Sequence, residues 1–204
     1  MAPYFSSLGI PPATGSDVTS PTGYSSPTIR LPSGKFVADS RNIADALEEL
    51  RPEPSLRLNS GYVERVQEAV QSAGKALAPI AIPRVPEMLL NPESEEYFRR
   101  TRRGRFDGIE LVDLARSERA GEAAWQGAEG GLGELVVLLG EHGGEGPFVL
   151  GGEASYADFM LAGFWAFLKK LDEGGDLFGR VMGVDGAFGR HWEACQSWLE
   201  RDDY

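Results

Sequence analysis

Residues 26–40 constrain this chain more than any other stretch. Two short apolar runs, residues 28–31 and 35–38, are separated by Pro32-Ser33-Gly34. Proline presets one turn dihedral, and glycine supplies the positive φ that other residues avoid, so the two runs read as strands of a hairpin. Ile43, Ala44, Leu47 and Leu50 then recur at helical spacing until Pro52 and Pro54 close the pattern. Residues 28–50 therefore predict a ββα unit whose helix opens on Asp39-Ser40. A two-stranded hairpin is marginal by itself in water, so this unit needs something to pack against.

The rest of the chain has a different character. Residues 9–27 are rich in Gly, Pro, Ser and Thr, carry neither period, and predict a long loop. From Gly61 onward the pattern is helical. One helix is expected over residues 60–78, closed by Pro79, Pro83 and Pro86. Asn91-Pro92, a cap followed by proline at the first helical position, opens a segment expected to reach about residue 116. Residues 118–141 form a poorer helix, because Gly127, Gly130, Gly131 and Gly133 each weaken it by up to about 1 kcal/mol. Leu132, Leu135, Val136 and Leu139 still mark an apolar face there. Residues 155–170 and 187–199 complete the helices. The boundary between the two regions divides the chain into domains at 1–54 and 60–204.

Bulk properties exclude several classes of function. The net charge of −11 argues against a nucleic-acid partner, which would need clustered positive charge. A single cysteine, Cys195, excludes an intramolecular disulfide. The two histidines, His142 and His191, lie far apart without recognisable ligand spacing, so no metal site is expected. No run of about 18 apolar residues is available to span a membrane, and a cytoplasmic protein is expected.

A few residues can carry chemistry. At the start of a helix the first N–H groups lack partners and the macrodipole is positive, so Ser40 can help hold an anion there. Asp39 beside it can take an ammonium group; equally, either residue can act simply as the helix cap. Ser155 and Asp158 have capping-box spacing after the Gly151-Gly152 loop. Arg99, Arg100, Arg102, Arg103 and Arg105 form either an anion site or a solvated face paired with Glu93, Glu95 and Glu96. Trp165, with Phe159, Phe164 and Phe167, is expected in the core, and Cys195 is expected to be a packed thiol with no base beside it.

The order Pro27, hairpin, Asp39-Ser40, helices, Ser155-x-x-Asp158 resembles the glutathione transferases. Residues 96–102, Glu-Tyr-Phe-Arg-Arg-Thr-Arg, and the ending Trp198 to Asp203 are similar to fungal etherase-related members, and the likeness runs from about Leu8 to the C-terminus. The resemblance implies an α/β plus all-α fold. An incomplete thioredoxin-like N-terminal domain, with ββα retained, precedes a helical C-terminal domain of glutathione transferase type. It implies that Pro27 follows a cis bond and that Ser26 presents its backbone to the cysteinyl part of glutathione. Asp39 and Ser40 would hold the γ-glutamyl end. Phe98 and Arg102 become candidates for the hydrophobic-substrate site, and Ser155 with Asp158 a structural capping box. The implied co-substrate is glutathione, the second substrate a hydrophobic or aromatic electrophile such as an aryl ether, and the assembly a homodimer.

One part of the family pattern has no counterpart here. The thiol-activating Tyr, Ser or Cys stands in the turn after the first strand, and no residue matches it; Tyr4 and Ser6 follow no apolar strand. The expectation is a gene product truncated at its N-terminus. The alternative is an inactive binding or dimerisation module of the same fold.

Overall fold

The computed structural model describes residues 2–12 and 23–200. The chain divides into two compact units, Met1–Leu58 and Asn59–Tyr204. The architecture is the one implied by the resemblance, a small ββα piece and a larger all-helical piece.

In the first unit a short helix α1 (Ala2–Ser7) precedes strands β1 (Thr28–Arg30) and β2 (Phe36–Ala38) and helix α2 (Ser40–Leu50). Of the loop expected over residues 9–27, residues 13–22 lie outside the described residues. The strands pair antiparallel, with Thr28 opposite Ala38, Ile29 opposite Val37 and Arg30 opposite Phe36. The turn closes through Leu31 N–H to Lys35 O and Gly34 N–H to Leu31 O, each 2.8 Å. Gly34 takes φ 87°, the conformation its lack of a Cβ permits. Glu48 ties the end of α2 to the following loop, accepting from Ser55 Oγ at 2.7 Å and Leu56 N–H at 2.8 Å.

The second unit is built on α3 (Tyr62–Ala81) and α7 (Glu122–Glu141). Between them lie α4 (Val85–Leu89), α5 (Pro92–Arg103) and α6 (Leu111–Ala115); after them come α8 (Tyr156–Lys170), α9 (Phe178–Met182), α10 (Gly186–Ala194) and α11 (Gln196–Leu199). Helix α3 runs through Pro79 instead of stopping before it. Proline there loses one backbone hydrogen bond, but its ring is buried in the unit's core. Pro83 and Pro86 sit in the first turns of a 3₁₀ segment, Ile82–Arg84, and of α4, where no N–H is required. The segment expected to be helical from Asn91 to about residue 116 breaks between α5 and α6, where Asp107 and Gly108 both take positive φ.

The glycines of α7 have a packing reason. A Cβ on Gly131 would lie 2.7 Å from Ala69 O and from Ala73 N, so its absence lets α3 and α7 meet backbone to backbone. Leu132, Leu135, Leu138 and Leu139 bury beside this contact. Trp165 is fully buried on α8 and stacks at 4.9 Å on Phe188 of α10.

Helix α8 starts on a buried carboxylate. Asp158 Oδ2 accepts from Ser155 N–H at 2.8 Å and Ser155 Oγ–H at 2.7 Å, while Oδ1 accepts from Val149 N–H at 2.8 Å. His191 Nε2 of α10 lies 3.2 Å from the same Oδ1. Burial alone would raise the Asp158 pKa; the bonds from His191, Val149 and Ser155 outweigh it and hold the group below its ordinary value of 3.8. The folded state therefore binds fewer protons at this site than the unfolded chain. Its contribution is complete above the unfolded value and lost as pH falls toward the folded one. Asp158→Asn is expected to lower stability in urea unfolding by about 1–3 kcal/mol near neutrality. The difference from the unaltered protein should narrow as pH drops below 3.8. A pH-independent difference would contradict this assignment.

Candidate functional site

The hairpin register brings the sequence-derived residues of the first unit to one end of the ribbon. The Ser26–Pro27 peptide is cis, as the resemblance implied. Pro27 O accepts from Asp39 N–H at 3.2 Å, so the Ser26-Pro27 and Asp39-Ser40 pairs lie side by side. Thr28 Oγ donates to Ser25 O at 2.7 Å and fixes the approach to β1. Ser26 and Pro27 are exposed, and no described residue hydrogen-bonds to the Ser26 backbone.

Asp39 has an unusual backbone, with φ 75° and ψ 134°. A non-glycine residue in such a conformation costs on the order of 1–3 kcal/mol and persists only where its surroundings enforce it. Here β2 hands directly to α2: Asp39 N–H remains in the hairpin ladder while Asp39 O already accepts from Ile43 N–H at 2.9 Å. The side chain turns back as the helix cap, Oδ1 accepting from Arg41 N–H at 2.9 Å. Its second oxygen, Oδ2, has no hydrogen-bond donor among the described residues. Ser40, the first residue of α2, is exposed, and its hydroxyl also has no partner among them. A positive helix end, an available hydroxyl and an available carboxylate oxygen together match the carboxylate and ammonium of an amino-acid head group. The capping role and a ligand role are thus compatible, because each uses a different oxygen of Asp39.

A cavity of about 680 Å³ also lies in this unit, lined by Ile10, Pro11, Leu31, Phe36, Asn42 and Leu50 among others. None of Ser26, Pro27, Asp39 and Ser40 lines it.

Phe98 and Arg102 sit one turn apart on α5 in the second unit. Phe98 is half-buried and packs against both apolar clusters of that unit, the large one and the smaller one of Phe106, Leu111 and Leu114. The Arg102 guanidinium lies 4.7 Å from the centre of its ring. Of the expected acid partners only Glu95 is used, at 3.6 Å from Arg99; Glu87 also reaches Arg99, at 3.3 Å, and Glu110 pairs with Arg103 at 2.6 Å.

Sequence reasoning missed the partner of the only cysteine. Cys195 was expected to stand without a base, yet His191 lies one helical turn before it, with both ring nitrogens 3.8 Å from Sγ. The signal was the i, i+4 spacing. Burial, followed by the nearby Asp158 charge, pushes the Cys195 thiol up to about 12, so it stays protonated and unreactive. Among the described residues no group of three His, Cys, Asp or Glu could hold a metal ion, and no helix is long and apolar enough to cross a membrane. Arg201, Asp202 and Asp203 of the family-like ending lie outside the described residues.

Comparison with known proteins fits this geometry to one class, that of the thioredoxin-like plus helical glutathione transferases. A family model for the glutathione S-transferase C-terminal domain matches residues 63–198. The glutathione S-transferase-like protein ustS of Aspergillus flavus is 31% identical over 219 residues, covering 98% of this chain and 75% of that protein. Among solved structures, a glutathione S-transferase of Ceriporiopsis subvermispora, CsGST63524, in complex with glutathione, shares 28% identity at a TM-score of 0.77. That match covers 100% of this chain and 82% of the other. Glutathione transferase GSTFuA3 from Phanerochaete chrysosporium gives 27% identity and a TM-score of 0.78, over 96% of this chain and 78% of that one. The chain belongs to the glutathione S-transferase family.

The cap and the backbone conformation of Asp39 can be separated experimentally. Asp39→Gly removes the cap but suits the backbone angle, and stability should fall by only a few tenths of a kcal/mol. Asp39→Ala loses the cap and keeps the backbone cost, lowering stability by about 1–2 kcal/mol in thermal or urea unfolding. Equal losses in the two variants would mean that the Asp39 conformation is not enforced as described.

Proposed function

We propose that this protein binds glutathione at the Ser26–Ser40 end of its hairpin and transfers it to hydrophobic or aromatic electrophiles, aryl ethers included. The observation that carries the proposal is the pair of unused groups at the start of α2, Asp39 Oδ2 and the Ser40 hydroxyl, beside the unengaged Ser26 backbone. Glutathione has the complementary parts. Its γ-glutamyl carboxylate suits Ser40 and the helix end, its ammonium suits Asp39, and its cysteinyl backbone suits strand-like pairing with Ser26 next to Pro27. Two fungal family members with 28% and 25% identity, both from Ceriporiopsis subvermispora, are known in complex with glutathione, which supports the ligand. Phe98 and Arg102 would contribute to the second-substrate site. The resemblance adds a homodimer to the proposal, and the sequence a cytoplasmic location.

In the transfer itself the glutathione thiolate attacks the electrophilic carbon, a C–S bond forms, and the leaving group departs with its bonding electrons. The thiol proton must first be lost, which a protein promotes by lowering the thiol pKa. Tyr4 and Ser6 belong to α1 instead of a turn that follows a strand. That placement favours a second reading, a glutathione-binding module of transferase fold that performs no transfer.

Calorimetric titration with glutathione, alongside conjugation of an aryl halide, separates the readings. Binding should weaken roughly tenfold in Ser40→Ala, because a hydrogen bond to a charged group is lost. Binding with turnover supports the transferase, and binding without turnover the module. No binding by the unaltered protein would overturn both.

A further inference from the structure

The arginines of α5 and of the turn that follows it are not equivalent. Arg99 and Arg103 each have a carboxylate partner, whereas Arg100, Arg102 and Arg105 have none among the described residues, and Arg100 instead lies 5.8 Å from the centre of the Tyr97 ring. Acids are plentiful in this chain, with 31 Asp and Glu against 20 Lys and Arg, so the unmatched arginines reflect local placement and not scarcity. Arg102 is also half-buried, lying over the Phe98 ring that bridges the two apolar clusters. Burial lowers its pKa and the positive charge of Arg105 lowers it further; the Tyr97 phenol opposes them by less, and no carboxylate pairs with it among the described residues. Such a site gains from an anion more than a solvated arginine does, since partial desolvation strengthens the pairing and the like charge beside it is relieved.

The shape of the site narrows the ligand. A guanidinium held over one aromatic face is planar and carries its donors along its edge, which favours a flat two-oxygen anion held by two parallel N–H bonds. Phe98 provides apolar surface under that edge. We infer that Arg102, with Arg105 beside it, binds the carboxylate of an aromatic acid against Phe98, and that the electrophile accepted by this protein carries such a carboxylate. The inference deepens the transferase reading and rests on it only for the ligand's role as second substrate.

The test compares 1-naphthoate with its neutral isostere 1-naphthamide, titrated into the full chain with and without glutathione. The acid should bind at least tenfold more tightly than the amide. Arg102→Gln should abolish that preference, Arg102→Lys should retain part of it, and Arg103→Gln, which alters a carboxylate-paired neighbour, should leave it intact. Equal affinity for acid and amide in the unaltered protein overturns the inference without reference to any variant. Displacement of naphthoate by inorganic phosphate at similar concentration overturns the aromatic-acid class. The two readings fail separately: naphthoate preference without glutathione binding removes the transferase, and glutathione binding without naphthoate preference removes the anion site.

Discussion

The helical unit depends on one buried carboxylate. Asp158 joins three separate segments: the start of its own helix through Ser155, the preceding loop through Val149, and α10 through His191. Each donor would otherwise be a buried polar group without a partner, a condition that costs about 1–3 kcal/mol apiece. Because the charge is fully enclosed, removing it unbalances every group around it. The apolar packing of α3 against α7, made close by Gly131, supplies area; Asp158 supplies the fixed geometry at the end of α8.

The first unit works on a different principle, with little buried area and much directional bonding. Among its described residues only Ile10, Ala44 and Leu58 are buried apolar residues. Its order comes from the hairpin ladder, the Gly34 turn and the direct passage from β2 into α2. That passage places Asp39 in a conformation a longer connection would have avoided. It also leaves Ser40, one oxygen of Asp39 and the Ser26 backbone facing outward together, the arrangement on which the proposed glutathione site rests.

Much of this was legible in the sequence for specific reasons. Pro32-Ser33-Gly34 and the helical period of Ile43, Ala44 and Leu47 mark the ββα unit by local signals alone. Ser155 and Asp158 announce α8 by spacing. What sequence reasoning could not supply was tertiary. Pro79 reads as a helix end but is carried through by its burial. The glycines of α7 read as weaknesses, although Gly131 is required by the approach of Ala69 and Ala73. The distinction among the α5 arginines depends on Glu87 and Glu110, twelve and seven residues from their partners, beyond any local pattern. His191 joined Asp158 across 33 residues, a pairing no periodicity could show.

The proposed glutathione site stands or falls on recognition of the γ-glutamyl end by the start of α2. Backbone amide NMR on the labelled protein tests it most directly, comparing added glutathione with cysteinylglycine, which lacks that end. Shifts are expected at Ser26, Ser40, Arg41 and Asn42 with glutathione, and with cysteinylglycine none at the three α2 amides. Identical responses to the two ligands at Ser40–Asn42, or shifts confined to other residues, would contradict it.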